Sequence, residues 1–446
     1  MKDSLTQLFL FKRSADHPVA LGKNGEVFTW QRFHTDLCSV SAMLTESRQQ
    51  RWALCFKNSY WFAVSLFALA TSGKEILIPS NLTSQNVLST IRTHYDAILT
   101  DLIFETDAPT VMPMAERFSP CDCELSVHNT KVTLFTSGST AEASAIEKSL
   151  ENLATEIAVL KELFGQETAK GEYYATVSHQ HIYGLLFRVL LPLSIGQPFT
   201  CFALEYPDQI VRAASEQRVL ISSPAHLKRL ECKETPGYKA IFSSGGPLPY
   251  VAAQTCERLL KSLPFEIFGS SETGGIGWRQ QKSTDTPWRP LSGVNVAVNK
   301  DHRMQVKSPF IDNESWYTTS DRIQLLDNGT FHLQGRCDRI IKISEKRISL
   351  EDIEYCLREL EPVEDVVALP IERNGRIEVC AVIRLSASGR STLAEQGKLA
   401  MTRAMRHTLA GKIEPVGVPR RFRFVEGIPV NSQGKLVLAT LVELFD

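Results

Sequence analysis

The chain carries almost no net charge. Lys and Arg total 49 against 50 Asp and Glu, leaving −1 with histidine neutral. No polyelectrolyte field is available to hold nucleic acid or an anionic membrane nonspecifically. Long apolar runs are missing too: the longest, WFAVSLFALA at 61–70, is about half the ~20 residues of a membrane span. The N-terminal MKDSLTQLFLFKRS has too short an apolar stretch for a signal peptide. The 10 cysteines are scattered, CDC at 121–123 being the one close pair, and no C-x-x-C pairing points to zinc or redox chemistry. There is no internal repeat and no low-complexity tract. These absences lead us to expect a soluble protein of a reducing, cytoplasmic compartment, with no nucleic-acid partner and no membrane span.

What is present is a 446-residue alternation of strands and helices, long enough for two or more lobes. WALCF (52–56), SYWFAVSLFALATS (59–72), EILIP (75–79), SQNVLSTIRTHY (84–95) and AILTD (97–101) read as strand, helix, strand, helix, strand. Continuous rather than alternating apolar strands between helices argue for a parallel sheet covered on both faces, an α/β fold. The pattern resumes through 152–164, 209–217, RVLISS (218–223), YKAIFSS (238–244) and AAQTCERLLKSL (252–263). From about residue 290 short strands and turns take over. IQLLDNGTFHLQGR (323–336) reads as a hairpin turning at Asp327-Asn328-Gly329, where positive φ is wanted. Beyond GRCDRIIKI the texture is α+β: helix 349–360, strands 363–371 and 376–385, helix 392–410. A boundary near 336–340 divides a large domain, 1–337, from a C-terminal domain, 338–446, of ordinary size.

Several short stretches are candidates for chemistry. KVTLFTSGST (131–140) sets Thr136, Ser137, Ser139 and Thr140 hydroxyls and closely spaced N–H groups around Gly138, a combination that suits an anion. It is not the G-x-x-x-x-G-K-[ST] phosphate loop. FEIFGSSETGG (265–275) is a strand and a turn with Ser271 and Glu272; Glu272 is either a surface residue of an αβ loop or a ligand for Mg²⁺, which favours carboxylate, water and phosphate oxygens. SSGGPLP (243–249) brings backbone close to something at Gly245-Gly246, a flat base or simply a turn. Asp321 in YTTSDRI (317–323) suits vicinal hydroxyls, since it accepts two hydrogen bonds. In SLEDIE, Ser349 with Asp352 reads as a capping-box variant opening a helix. VSHQHIYG (177–184) sets two histidines at i, i+2 on one strand edge, where a gating role for His181 is favoured over a metal pair. Lys435 follows a Gly-containing turn in GIPVNSQGKLVLATL (427–441).

The order of these stretches is more specific than any one of them. TSGST, HIYG, SSGGPLP, FGSSET, YTTSD, GRCDRIIKI and a terminal GK resemble the adenylate-forming (AMP-binding) superfamily: acyl-CoA synthetases, aryl-CoA ligases, peptide-synthetase adenylation domains and luciferases. The resemblance runs from WALCFKNSYWFAVSLFAL to NSQGKL. GSSETGGIGWRQ and the compact N-terminus look, more narrowly, like ligases of bacterial aryl-polyene clusters, acyl carrier protein ligases among them. The resemblance implies a large lobe of doubly wound sheets with a small β-rich subdomain, and a mobile α+β C-terminal domain swivelling at Asp338. It implies that residues 136–140 grip the β- and γ-phosphates of ATP, that Gly245 and Gly246 lie near adenine, and that Ser271 and Glu272 reach the α-phosphate and Mg²⁺. Asp321 and Arg336 would hold the ribose, and Lys435 would contact both substrate carboxylate and α-phosphate. His181 would take a gating part in the catalytic set. Residues His181, Tyr183, Gly184, Phe187, Ser222, Ser244, Phe268 and Trp278 would line the acyl pocket, Trp278 alternatively capping a short pocket or packing in the core.

The chain departs from that pattern where TSGST normally continues Gly-x-Pro-Lys-Gly. Here Ala141-Glu142-Ala143-Ser144-Ala145 follows, and the loss of a phosphate-facing Lys to Ser144 removes a contact of about 1.5–3 kcal/mol. Lys148, one helical turn from Ser144 if the segment is helical, would partly substitute. Ser320 stands where Gly is usual and Glu345 where Gly tends to precede the helix. The expected activity is ATP- and Mg²⁺-dependent activation of a carboxylic acid, aryl or medium acyl, to acyl-AMP and transfer to a phosphopantetheine thiol of coenzyme A or an acyl carrier protein. The alternatives are an adenylation-only enzyme and a nucleotide- or acyl-binding pseudo-ligase.

Overall fold

The computed structural model describes residues 2–80, 91–113, 127–137, 143–230, 235–312, 315–343, 346–373, 376–430 and 436–446. Two compact units emerge: 1–296, 306–317 and 327–330 form one, and 297–305, 318–326 and 331–446 the other. The second unit therefore takes in strands that precede residue 338.

Two sheets make the first unit. Strands β1 (Pro18–Leu21) and β2 (Val27–Thr29) open the chain. Next come β3 (Arg51–Cys55), β4 (Glu75–Ile78), β5 (Ala97–Thr100), β6 (Thr110–Val111), β7 (Lys131–Ser137) and β8 (Ala143–Ser149). These last six form one sheet in the order β6-β5-β3-β4-β7-β8, parallel except for the final β7–β8 hairpin. The other sheet adds β9 (Glu172–Ala175), β10 (Phe199–Thr200), β11 (Ser215–Ser222), β12 (Tyr238–Ser243), β13 (Phe265–Ser270), β14 (Gly274–Arg279) and β15 (Arg289–Pro290). Its order is β15-β14-β13-β12-β11-β9-β10-β1-β2, with parallel pairing from β13 through β1 and antiparallel strands at both edges.

Strand composition explains the parallel core. Leu54, Ile76, Leu99, Val132, Leu220, Ile221, Ile241 and Phe242 are all buried, as strands covered on both faces require. Helix Ser59–Thr71 is apolar on every side and buried nearly throughout, the pattern of a helix with no solvent face. Its first turn is fixed by Asn58, whose side chain accepts from the Tyr60 and Trp61 amides. The segment read as continuing through 209–217 instead divides: Pro207–Arg212 is helical and β11 begins at Ser215. Of 84–95, only Arg92–His94 is described as helical, and 81–90 lie outside the described residues.

The second unit is α+β. The three-stranded sheet Val363–Arg373, Arg376–Leu385 and Arg421–Val425 buries Val366, Ala381 and Ile383 on one face against Ile353, Leu357 and Leu409. Its other face covers Leu441 and Phe445 with Leu369 and Val382. Ser349 caps the helix Leu350–Arg358, its hydroxyl accepting from the Asp352 amide at 3.1 Å. Among the described residues no helix is long and apolar enough to cross a membrane.

Candidate active site

Four neighbouring parallel strands of the larger sheet, β9, β11, β12 and β13, send their carboxyl ends toward one edge. The stretches holding His181, Ser222, Gly245-Gly246 and Ser271-Glu272 follow or end these strands. That edge is where open α/β sheets take ligands.

The turn between β13 and β14 is tied down through its backbone. Ser270 Oγ accepts from the Thr273 amide at 3.3 Å, and Ser308 Oγ donates to the Thr273 carbonyl at 3.3 Å. Lys148 Nζ donates to the Phe310 carbonyl at 3.0 Å and the Glu272 carbonyl at 3.4 Å. The Gly275 amide donates to Glu156 Oε1 at 2.7 Å. Gly274 sits at φ +70°, and a Cβ there would meet Glu156 Oε2 at 2.7 Å, so glycine is the residue that fits. The Ser271 and Glu272 side chains are left half-buried on this braced turn.

Glu156 is the residue the sequence reading missed. It projects from helix Leu150–Phe164 into the interior, fully buried. Burial pushes its carboxyl up to about 7, against the Gly275 amide and Lys148, which pull it down. The signal was available, since Glu156 falls three residues after Leu153 and four before Leu160, both buried, which puts a charge on an apolar stripe. Burial likewise lowers the Lys148 ammonium below its ordinary range, against nearby Glu156, Glu272 and Asp312. A carboxyl raised in the folded state contributes stability that is intact below its unfolded value of 4.5 and lost as pH rises through about 7. Wild type measured against Glu156→Gln by denaturant titration should therefore weaken between those pH values. A flat difference would refute the assignment.

Lys148 does not stand one helical turn from Ser144. Residues 143–149 are β8, paired antiparallel with β7, so four residues span about 13 Å. Its ammonium meets backbone carbonyls. Thr136 and Ser137 close β7 opposite Ser144 and Ala143, while Gly138, Ser139 and Thr140 lie outside the described residues, as does Lys435. Gly245 (φ +91°) and Gly246 are exposed, and a Cβ at either would meet nothing within 4 Å.

The two histidines are not on a strand edge. His181 is the residue before the short helix Ile182–Gly184. His179 is buried, its Nδ1 3.1 Å from Ser59 Oγ and its Nε2 2.8 Å from the Phe56 carbonyl. Burial, then the charge of Arg188, holds the His179 imidazole far below its usual range. Gly184 abuts backbone: a Cβ there would run into the Ser178 carbonyl. Tyr183 lies 5.0 Å from the Phe187 ring, and Phe187 5.2 Å from Phe242. Trp278 takes the packing alternative, 5.8 Å from Phe164 and 6.0 Å from Phe265, with the Arg289 guanidinium over its face. Phe268 rests on Trp288 at 5.5 Å.

In the second unit Asp321 lies within the strand Tyr317–Leu325, directly across from Arg336. Arg336 Nη1 is 3.5 Å from Asp321 Oδ1, and its Nη2 and Nε grip Asp338 at 2.5 and 3.0 Å. Burial raises the Asp321 carboxyl, with Arg336 acting against it.

A sequence model of the family described as AMP-binding enzyme matches residues 74–310, just over half the chain. The chain belongs to the AMP-binding enzyme family. Another protein with which it shares sequence is a D-alanine–D-alanyl carrier protein ligase of Staphylococcus epidermidis, 32% identical over 204 residues. That match takes in 46% of this chain, and the chain spans 37% of the length of that ligase. ATP-bound MatB from Rhodopseudomonas palustris has the same fold, with a TM-score of 0.82 at 18% identity over 100% of this chain and 99% of that one. So does the o-succinylbenzoate CoA synthetase MenE from Bacillus subtilis, with a TM-score of 0.79 at 16% identity over 99% and 98%. These agree with an α/β architecture of the adenylate-forming kind for this AMP-binding family member.

Proposed function

We propose that this AMP-binding family member uses ATP to adenylate a carboxylic acid and passes the acyl group to a phosphopantetheine thiol. The observation that carries the reading is the braced turn presenting Ser271 and Glu272 at the carboxyl edge of the parallel strands. Glu272 is one half-exposed carboxylate, and no group of three or more His, Cys, Asp or Glu among the described residues could hold a metal. That donor set fits Mg²⁺ arriving with nucleotide phosphates, since Mg²⁺ is usually held by one or two carboxylates plus phosphate oxygens. When bound it would neutralise charge on the phosphates. Ser271 would bond the α-phosphate, the open backbone at Gly245-Gly246 would accept the flat adenine, and Asp321 would accept from the ribose hydroxyls while Arg336 orients it. Residues 136–140 would hold the outer phosphates. Residues 338–446 would swivel at Asp338, whose grip by Arg336 would change with rotation. The name of the Staphylococcus relative favours a carrier protein over coenzyme A as acceptor. His181, Tyr183, Gly184 and Phe268 remain our assignment for the acyl side of the site, Trp278 packing instead against Phe164 and Phe265.

The test is pyrophosphate release with ATP and Mg²⁺ across fatty, benzoic and cinnamic-type acids, then with coenzyme A or a pantetheinylated carrier protein added. Release that depends on one acid class and quickens with one thiol is the expected result. ATP binding without release for any acid would favour a pseudo-ligase, and release indifferent to thiols an adenylation-only enzyme.

A further inference from the structure

We propose that Lys148 and Glu156 are positioning residues, a buried clamp that sets the Ser271–Glu272 turn for nucleotide and Mg²⁺. The inference rests on the ligase reading above and extends it to two residues that touch no substrate.

The geometry is a two-point grip. Lys148 holds the Glu272 carbonyl from one side, at 3.4 Å, and anchors itself on Phe310 at 3.0 Å. Glu156 holds the Gly275 amide at 2.7 Å on the other side. The two contacts bracket residues 272–275, the stretch on which Glu272 is carried. Both side chains are buried, at 4% and 1% relative exposure. Glu156 Oε2 has no hydrogen-bond partner among the described residues. Gly274 and Gly275 make room for that carboxylate: a Cβ would meet Glu156 oxygens at 2.7 and 3.0 Å.

Stability alone does not call for such a pair. The two charges touch backbone groups and act on each other only through space, burying each is costly, and the unsatisfied Oε2 adds a desolvation cost. What apolar residues cannot do is hydrogen-bond a carbonyl and an amide at chosen points on a turn. Lys148 is thus no stand-in for the phosphate-facing lysine that residues 141–145 lack; it acts on the backbone behind Glu272.

The test uses the full chain and the double variant Lys148→Met/Glu156→Gln, which removes both charges, so that no buried charge is left uncompensated, and withdraws the donor to the Phe310 and Glu272 carbonyls. Its Tm should stay within about 5 °C of wild type. Amide hydrogen exchange over residues 268–276 should quicken about tenfold, reporting a loosened turn. The Mg²⁺ concentration for half-maximal ATP binding, read by calorimetry, should rise about tenfold, while KM for the acid stays within about twofold. Glu156→Gln alone, which keeps Lys148 and an acceptor for Gly275, should restore the Mg²⁺ dependence to within about threefold. A folded double variant with wild-type exchange and wild-type Mg²⁺ dependence overturns the clamp. If the double variant does not fold, Glu156→Leu against Glu156→Gln decides, since only the Leu variant should loosen the turn; equal behaviour refutes the inference. Wild type that neither binds MgATP nor releases pyrophosphate would instead defeat the ligase reading, and the exchange comparison would still judge the clamp.

Discussion

Lys435→Ala is expected to lower acid-dependent pyrophosphate release about 10³-fold, the scale of removing one group aimed at developing transition-state charge. That corresponds to ~4 kcal/mol of lost stabilisation. In adenylation a carboxylate must approach a polyphosphate, so two anions meet and the step needs a cation at the point of contact. A lysine touching both the acid and the α-phosphate is the smallest device that supplies it. Transfer to the thiol meets a different situation, because acyl-AMP is a mixed anhydride reactive toward a thiol without that cation. Reaction of supplied acyl-adenylate with thiol should therefore stay within about threefold of wild type. Single-turnover measurement of both half-reactions checks the split. Equal losses in the two would move Lys435 into a shared or structural role, and no loss in either would remove it from the site.

Gly184→Ala is expected to destabilise the protein by about 3 kcal/mol, the upper range for overpacking, and to lower Tm by about 5 °C or more. Gly184 lies at φ −69°, a conformation open to any residue, so the cost is steric rather than conformational. Its Cβ would land on the Ser178 carbonyl and 3.2 Å from the His179 Cα. Both are backbone, and His179 is fixed in turn by Ser59 and the Phe56 carbonyl. Neither can step aside as a flexible side chain would. Gly246→Ala is the control, because a Cβ there meets nothing within 4 Å and surface changes of that kind stay within about 0.5 kcal/mol. Calorimetric Tm values for the two variants check the contrast; parity between them would show that 178–184 can shift.

Much of the architecture was legible because it follows from local rules. Unbroken apolar strands announced parallel sheets, and Asp327-Asn328-Gly329 announced the turn between strands Tyr317–Leu325 and Phe331–Arg336. The Ser349 cap was read from one residue type at one spacing. The misses lie where local signals compete with pairing. Residues 143–149 looked compatible with a helix, yet β7 offered an antiparallel partner over seven residues, and ladder formation decided the outcome. The 209–217 stretch was divided the same way when β11 extended back to Ser215. Trp278 could be placed in a pocket or in the core from sequence, and only the rings of Phe164 and Phe265 around it decide between them. Glu156 was invisible as a partner because its contact, Gly275, lies 119 residues away.

The strand order of the larger sheet also fixes a schedule for synthesis. Strands β1 and β2 are made first, yet β1 joins the sheet through β10, with Leu21 opposite Thr200. At about 5–20 residues per second, the roughly 180 residues between them take ~10–40 s to emerge. Through that interval Val19, Ala20 and Phe28, all buried in the finished sheet, have only the β1–β2 pairing with each other. The β1–β2 pair thus waits on β10 to be covered, and slowing elongation between codons 30 and 200 would lengthen its exposure rather than help it fold.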